Sequence, residues 1–223
     1  MKRYLPFLIV ALVAVLTATG GTLLYRAKRQ TLAAVIPKDR PPAEEGDGEH
    51  TLGPADAIVT LEEYGDFQCP PCGALSEPLN QMVHEVPKMR IIFRHFPLVM
   101  HRNAHDAAMA AEAAGLQGHF WQMHDLLYRE QSVWSKALDV RELFEGYAAS
   151  IKCNVARFKR DVISDEVSAR VQADQDEGTK LGVKNTPTIF VNYKPMPPGS
   201  LNPTDLRAAV NEAMKAGKPP AIK

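Results

Sequence analysis

Hydrophobic and polar positions divide the chain into zones. The first opens with Lys2 and Arg3, continues as an uncharged run over 4–25 whose most apolar part is 7–16, and closes on Arg26, Lys28 and Arg29. A secretory signal needs an apolar region of about 7–15 residues ahead of a small-residue cleavage site, whereas a membrane span needs about 20. The length fits a span, so 1–30 reads as an uncleaved signal-anchor. Thr17, Thr19, Gly20, Gly21 and Thr22 dilute its second half, and Ala18-Thr19-Gly20 offers a weak cleavage site for the alternative of a secreted form. The flanking charges are nearly balanced and set no orientation. The segment 31–54, with Pro37, Pro41, Pro42, Glu44, Glu45, Gly46, Asp47 and Gly48, has little to bury and reads as a flexible linker.

Period-two alternation begins after Ala55. Over 57–64 it predicts a strand with Val59, Leu61 and Glu63 on one face. That places a carboxylate among apolar residues, unless the strand ends early and leaves Glu63 in water. A 3.6-residue period follows, with Leu75, Leu79, Met82, Val83 and Val86 on one face of a helix. Pro78 should kink that helix, because it lacks an N–H and clashes with the carbonyl of Ala74. The run 89–96 predicts a second strand, stopped by Pro97, with His95 at a strand edge.

From about 101 to 180 the pattern is helical, with no convincing strand. Helices are expected over 107–114, ending at Gly115, then along Phe120, Met123, His124 and Leu127, then over 140–149 and over 155–171. Strand character returns at 188–191, directly after Thr186-Pro187, and a proline fits the start of an inner strand. The stretch 194–200 is turn-like with room for a short strand. Thr204 is the expected N-cap of a last helix carrying Leu206, Val210 and Met214.

Composition adds limits. A net charge of zero implies no nucleic-acid partner, and three cysteines in 223 residues do not make a disulfide-stapled scaffold. Two of the three lie in Asp66-Phe67-Gln68-Cys69-Pro70-Pro71-Cys72-Gly73, at the junction of the first strand and its helix. Cys69 at a helix N-terminus meets unsatisfied N–H groups and the positive end of the helix dipole, which favour the reactive thiolate. Cys72, one turn on, is the candidate resolving thiol. The same spacing serves structural disulfides and half-sites for zinc. Zinc needs a second ligand pair, and the remaining cysteine, Cys153 between Ile151 and Val155, reads as a small buried hydrophobe. A disulfide closing so short a loop stabilises little. The redox reading therefore leads, and no metal ligand set is assigned.

Four blocks then resemble the DsbA-type thiol-disulfide oxidoreductases of the bacterial envelope, across roughly 55–216. They are Tyr64-Gly65-Asp66-Phe67-Gln68-Cys69-Pro70-Pro71-Cys72, Phe93-Arg94-His95-Phe96-Pro97-Leu98, Gln117-Gly118-His119-Phe120-Trp121-Gln122-Met123-His124 and Leu181-Gly182-Val183-Lys184-Asn185-Thr186-Pro187-Thr188. The resemblance implies an α/β thioredoxin fold over 55–217 with a helical insertion at about 101–180. It implies Cys69 as nucleophile, Cys72 as resolving cysteine and Glu63 as a buried acid. It also implies a cis Thr186-Pro187 bond beside Cys69, which with Pro70 and Pro71 would shape a groove for substrate polypeptide. The expected function is oxidation of protein thiols outside the cytoplasmic membrane. No cofactor is expected beyond the Cys69–Cys72 disulfide, and the expected partners are protein thiol or disulfide substrates and a membrane protein that reoxidises the pair. Alternatives on the same fold are a reductase or isomerase, a copper carrier using Cys69, Cys72 and a histidine such as His95, and a non-catalytic peptide-binding module. Pro71 stands where strong oxidants of this family carry histidine, Asn185 replaces a more usual glycine, and Tyr193-Lys194 replaces an Asn-Gly type of turn.

Overall fold

The computed structural model describes residues 50–217, and every structural statement here concerns those residues. The alternating β-branched and aromatic content of the first run forms β2 (Val59–Gly65), and the second forms β3 (Met89–His95). They pair in parallel, Glu63 opposite Phe93 and Gly65 opposite His95. β1 (His50–Leu52) adds antiparallel to β3, β4 (Thr188–Val191) adds antiparallel to β2, and β5 (Lys194–Pro195) follows β4, giving the order β1-β3-β2-β4-β5. The parallel pair requires a crossover, supplied by helix α1 (Pro70–Glu85), which buries Cys72, Leu75, Leu79 and Met82. Pro78 lies within α1, and the helix continues through it.

Between β3 and β4 the chain builds the insertion: α2 (Ala104–Gly115), α3 (Phe120–Arg129), α4 (Gln131–Trp134), α5 (Arg141–Ser150), α6 (Val155–Asp161) and α7 (Asp165–Lys180). The alanine-rich α2 is buried along almost its whole length, since small side chains let neighbouring helices close around it. α7 docks on the end of β3, where the Asp174 carboxylate accepts from the His95 backbone N–H at 2.9 Å and from the Arg94 guanidinium at 3.3 Å. It also approaches β2 closely. A Cβ on Gly178 would lie 2.8 Å from the Tyr64 ring, so only glycine admits that contact. α8 (Pro203–Ala216) returns to the sheet and buries Leu206 and Val210.

Several expectations change. β1 falls inside the stretch read as linker, because a three-residue strand shows no alternation and is defined only by its pairing with β3. The helix expected over 155–171 is two helices. The first ends at Asp161 with Val162 as its C-cap, Ser164 caps the second with its side chain accepting from the Val167 N–H, and Ile163 in the break is exposed. The last helix is capped by Asn202 rather than Thr204, with Pro203 at its first position. His95 is not at a strand edge: β3 is an interior strand and the ring is buried. The β4–β5 connection places Asn192 and Tyr193 at φ of 46° and 67°, the left-handed region in which an Asn-Gly turn sits. Asn192 makes this turn workable by accepting from the Thr60 N–H at 2.8 Å through its side chain. Among the described residues no helix is long and apolar enough to cross a membrane. The expected signal-anchor, 1–30, lies outside them.

Candidate functional site

The site forms where β2 ends and α1 begins. The Asp66 carbonyl accepts from the Cys69 N–H, turning the chain so that Cys69 becomes the N-cap residue with Pro70 and Pro71 in the first turn. Prolines suit that turn because its N–H groups have no intrahelical partner. Here they also remove donors that a side chain at the cap would use. Pro70 and Pro71 stand exposed, Cys69 is 4% exposed beneath them, and Cys72 is fully buried.

The two sulfurs are chemically unequal. Hydrogen bonding from Cys72 to the Cys69 sulfur is the largest influence on Cys69 and, despite opposition from burial, lowers its pKa to about 6. The Cys72 backbone N–H adds to this effect, as expected when Pro71 has none to give, and the nearby Asp66 carboxylate works against it. Cys72 is shifted strongly upward, first by burial, then by its hydrogen bond to Cys69 and by the Glu63 carboxylate. All three cysteines are free thiols in this structure. Burial raises Cys153 to about 11, which suits an inert packing residue.

Across the groove the Thr186-Pro187 bond is cis, as the resemblance implied. The Cys69 thiol donates to the Thr186 carbonyl at 3.3 Å. The Thr186 side chain also favours the sulfur as thiolate. Thus Cys69, Pro70, Pro71, Thr186 and Pro187 come together from opposite ends of the sequence.

Glu63 lies on the buried face of β2, as its alternation with Val59 and Leu61 requires, and is 2% exposed. Burial first, and the Cys69 charge second, raise its pKa to about 8. Its Oε1 has no hydrogen-bond partner. Tyr128 on α3, also buried with an unpartnered hydroxyl, is raised well above its ordinary value by burial and by the charges of Cys72, Glu63, Asp66 and Cys69.

Sequence reasoning missed the supports of this site. The buried Asp66 carboxylate accepts from the backbone N–H of Gln68 (2.7 Å) and Leu98 (2.8 Å) and pairs with His101 Nδ1 (2.7 Å), tying the loop after β3 to the cysteine turn. Gln131 on α4 donates to the Phe67 and Cys69 carbonyls at 2.7 and 3.0 Å. Gln68 donates to the Ser135 carbonyl and accepts from the Asn103 N–H. Only the Gly65-Asp66 pair before the cysteines hinted at any of these. The loops so anchored present Val99, Met100 and Leu138 to solvent, and α4 presents Val133. The histidine that a copper carrier would need, His95, turns its Nε2 to Glu112 at 3.0 Å. Among the described residues the cysteines belong to no cluster of metal-capable side chains.

A mixed five-stranded sheet, a Cys-x-x-Cys pair at the N-terminus of its crossover helix and a cis-proline turn facing the pair define a thioredoxin fold. Comparison with known proteins agrees. The family model described as thioredoxin matches residues 45–212, and the chain belongs to that family. The structure is similar to a thioredoxin-like oxidoreductase from Silicibacter pomeroyi DSS-3, with 25% identity, a TM-score of 0.64, and coverage of 76% of this chain and 94% of that one. It shares its fold with oxidised BdbD from Bacillus subtilis, with 22% identity, a TM-score of 0.66, and coverage of 80% and 100%. A curated relative, the Na(+)/H(+) antiporter NhaA 1 of Salinispora arenicola, is 36% identical over 224 residues, 93% of this chain. The chain spans about a third of the length of the curated relatives it matches.

Proposed function

We propose that the chain oxidises dithiols of secreted or envelope proteins, with Cys69 as the nucleophile and exchange site and Cys72 as the resolving cysteine. The observation that carries this reading is the inequality of the two thiols, because a stabilised Cys69 thiolate favours the reduced pair and so makes its disulfide oxidising. A substrate thiolate attacks Cys69 Sγ, the Cys69–Cys72 bond breaks, and a mixed disulfide forms at Cys69. Cys72 leaves as a thiolate and takes a proton from the Glu63 carboxyl group, whose pKa near 8 suits transfer in either direction at neutral pH. A second substrate thiolate then attacks the substrate sulfur of the mixed disulfide, releasing Cys69 as thiolate and oxidised substrate. The disulfide pair is the only cofactor in this scheme, and a membrane partner would accept the two electrons to regenerate it.

Pro70, Pro71, Thr186 and Pro187 are proposed to receive extended substrate polypeptide. The exposed Val99, Met100, Val133 and Leu138 around the site favour an unfolded, apolar segment. Because such an oxidant is useful only where thiols are not kept reduced, the domain is placed on the outer side of the cytoplasmic membrane, tethered by 1–30 or secreted. Cys72→Ser should accumulate mixed disulfides with reduced protein substrates, detected on non-reducing gels, and Cys69→Ser should form none and lose exchange activity. Trapping through Cys72 instead would reverse the assigned roles. Equilibration with glutathione then separates the directions: a potential as low as that of thioredoxin, about −270 mV, would make the protein a reductase.

A further inference from the structure

A cluster of buried titratable side chains lies outside the redox site. His50 on β1, His95 at the end of β3 and Glu112 on α2 are 7%, 1% and 2% exposed, and one ligand atom from each lies within 4.8 Å of the others. His50 Nε2 is 2.5 Å and His95 Nε2 is 3.0 Å from the same carboxylate oxygen, Glu112 Oε1. The second oxygen, Oε2, is buried without a hydrogen-bond partner, and so is His95 Nδ1. The walls are aromatic: Phe120 stacks on the His50 ring at a centroid distance of 3.4 Å, and Phe93 and Phe67 pack around His95 at 5.4 and 5.9 Å.

Buried polar networks ordinarily satisfy every member. This one converges two imidazoles on one oxygen and leaves acceptor capacity on the other unused. We propose that His50, His95 and Glu112 supply three ligands of a Zn²⁺ site, with water in the fourth position, that ties β1 and the first helix of the insertion to the sheet. Two imidazole nitrogens and a carboxylate are a donor set suited to zinc rather than to Mg²⁺ or Ca²⁺, which prefer all-oxygen surroundings. With metal–ligand bonds of about 2.0–2.2 Å in a tetrahedron, ligand atoms stand roughly 3.3 Å apart, so the two short contacts need to open by less than about 1 Å. Among the described residues Arg170 on α7 has Nη1 4.0 Å from Glu112 Oε2. It is 41% exposed on its side chain and already pairs with Glu166 at 3.2 Å, so it can remain on the helix surface while Glu112 turns to the metal.

The site spans elements that are remote in sequence. β1 has only three residues of pairing to hold it, and a metal there would fix its register and the seat of α2 together. Binding to the folded form alone raises stability with metal concentration.

The test uses the Cys69→Ser/Cys72→Ser full chain, so that the redox thiols cannot bind metal. After chelator treatment it should take up one equivalent of Zn²⁺ by titration against a chromophoric competitor, with its melting temperature rising by several degrees. Co²⁺ in place of zinc should give visible d–d bands without thiolate charge-transfer absorption. His50→Gln keeps a hydrogen bond to Glu112 while removing a ligand, and should weaken zinc binding at least tenfold with unchanged far-UV circular dichroism. Glu112→Gln provides a second variant with the same expectation. No uptake at micromolar zinc by the double-serine protein, or equal affinity in His50→Gln, would overturn the site.

Discussion

At the residue scale the chemistry depends on three side chains held away from their ordinary protonation behaviour. A carboxyl group whose folded pKa is raised from 4.5 to about 8 binds a proton in the native state that it releases on unfolding, so between those pH values its contribution to stability falls as pH rises. Glu63→Gln removes that loss. The variant should gain stability relative to the parent on the order of 4 kcal/mol at pH 8–9 and little at pH 4, measured by denaturant unfolding at each pH. If the carboxyl group protonates Cys72 as it leaves, the same variant should form mixed disulfides more slowly and flatten the pH dependence of exchange around neutrality. Pro71 offers a second test. It withholds a backbone donor from the helix N-terminus beside Cys69, leaving Cys72 as the principal source of hydrogen bonds to the sulfur. An imidazolium at 71 would add a positive charge there. Pro71→His should lower the Cys69 pKa below about 6 and make the disulfide more oxidising, by about 30 mV for each pKa unit, read from the thiolate absorbance and from glutathione equilibration.

At the scale of elements, the insertion is fastened to the sheet by close approaches as well as by its apolar faces. α7 passes over β2 at Gly178, where Tyr64 and Phe96 occupy the space that a side chain would need. Tyr64 is fully buried and cannot turn away. Gly178→Ala should therefore destabilise the fold by about 1–2 kcal/mol, because overpacking outweighs the gain in helix propensity. The expected readout is a lower denaturant midpoint with an unchanged m-value. The close approach also explains why a glycine stands in the last turn of this sixteen-residue helix. From sequence such a residue looks like a helix weakness, because its partner is Tyr64, more than a hundred positions away.

For the whole molecule, the two redox states should differ in their response to pH. A thiol whose folded pKa is lowered from 9.0 to about 6 stabilises the reduced protein fully above the unfolded value and loses that stabilisation as pH falls through the folded value. The oxidised protein has no such group, and burial, the larger cause of the Glu63 shift, is common to both states. The stability of reduced protein minus that of oxidised protein should rise between pH 6 and pH 9, as paired denaturant titrations would show; a flat difference would mean that Cys69 is not the stabilised thiolate. Much of this protein was legible in its sequence, because local chemistry writes a local pattern. The alternation of Val59, Leu61 and Glu63, the periodic face of α1, the alanine-rich α2 and the spacing of Cys69 and Cys72 each report a backbone conformation over a few residues. The resemblance added the order of blocks and the expectation of a cis bond at Pro187. What the tertiary structure decided was whatever depended on partners far along the chain. It decided that His50 begins a strand, because only pairing with β3 defines it, and that His95 is interior, because α2 and α7 cover that end of the sheet. It also decided that Glu63 is dry enough to hold a proton near neutral pH, and that Asp66, Gln68 and Gln131 hold the cysteine turn. Burial and hydrogen-bond geometry are set by the packing of distant segments, and a linear pattern carries no measure of either.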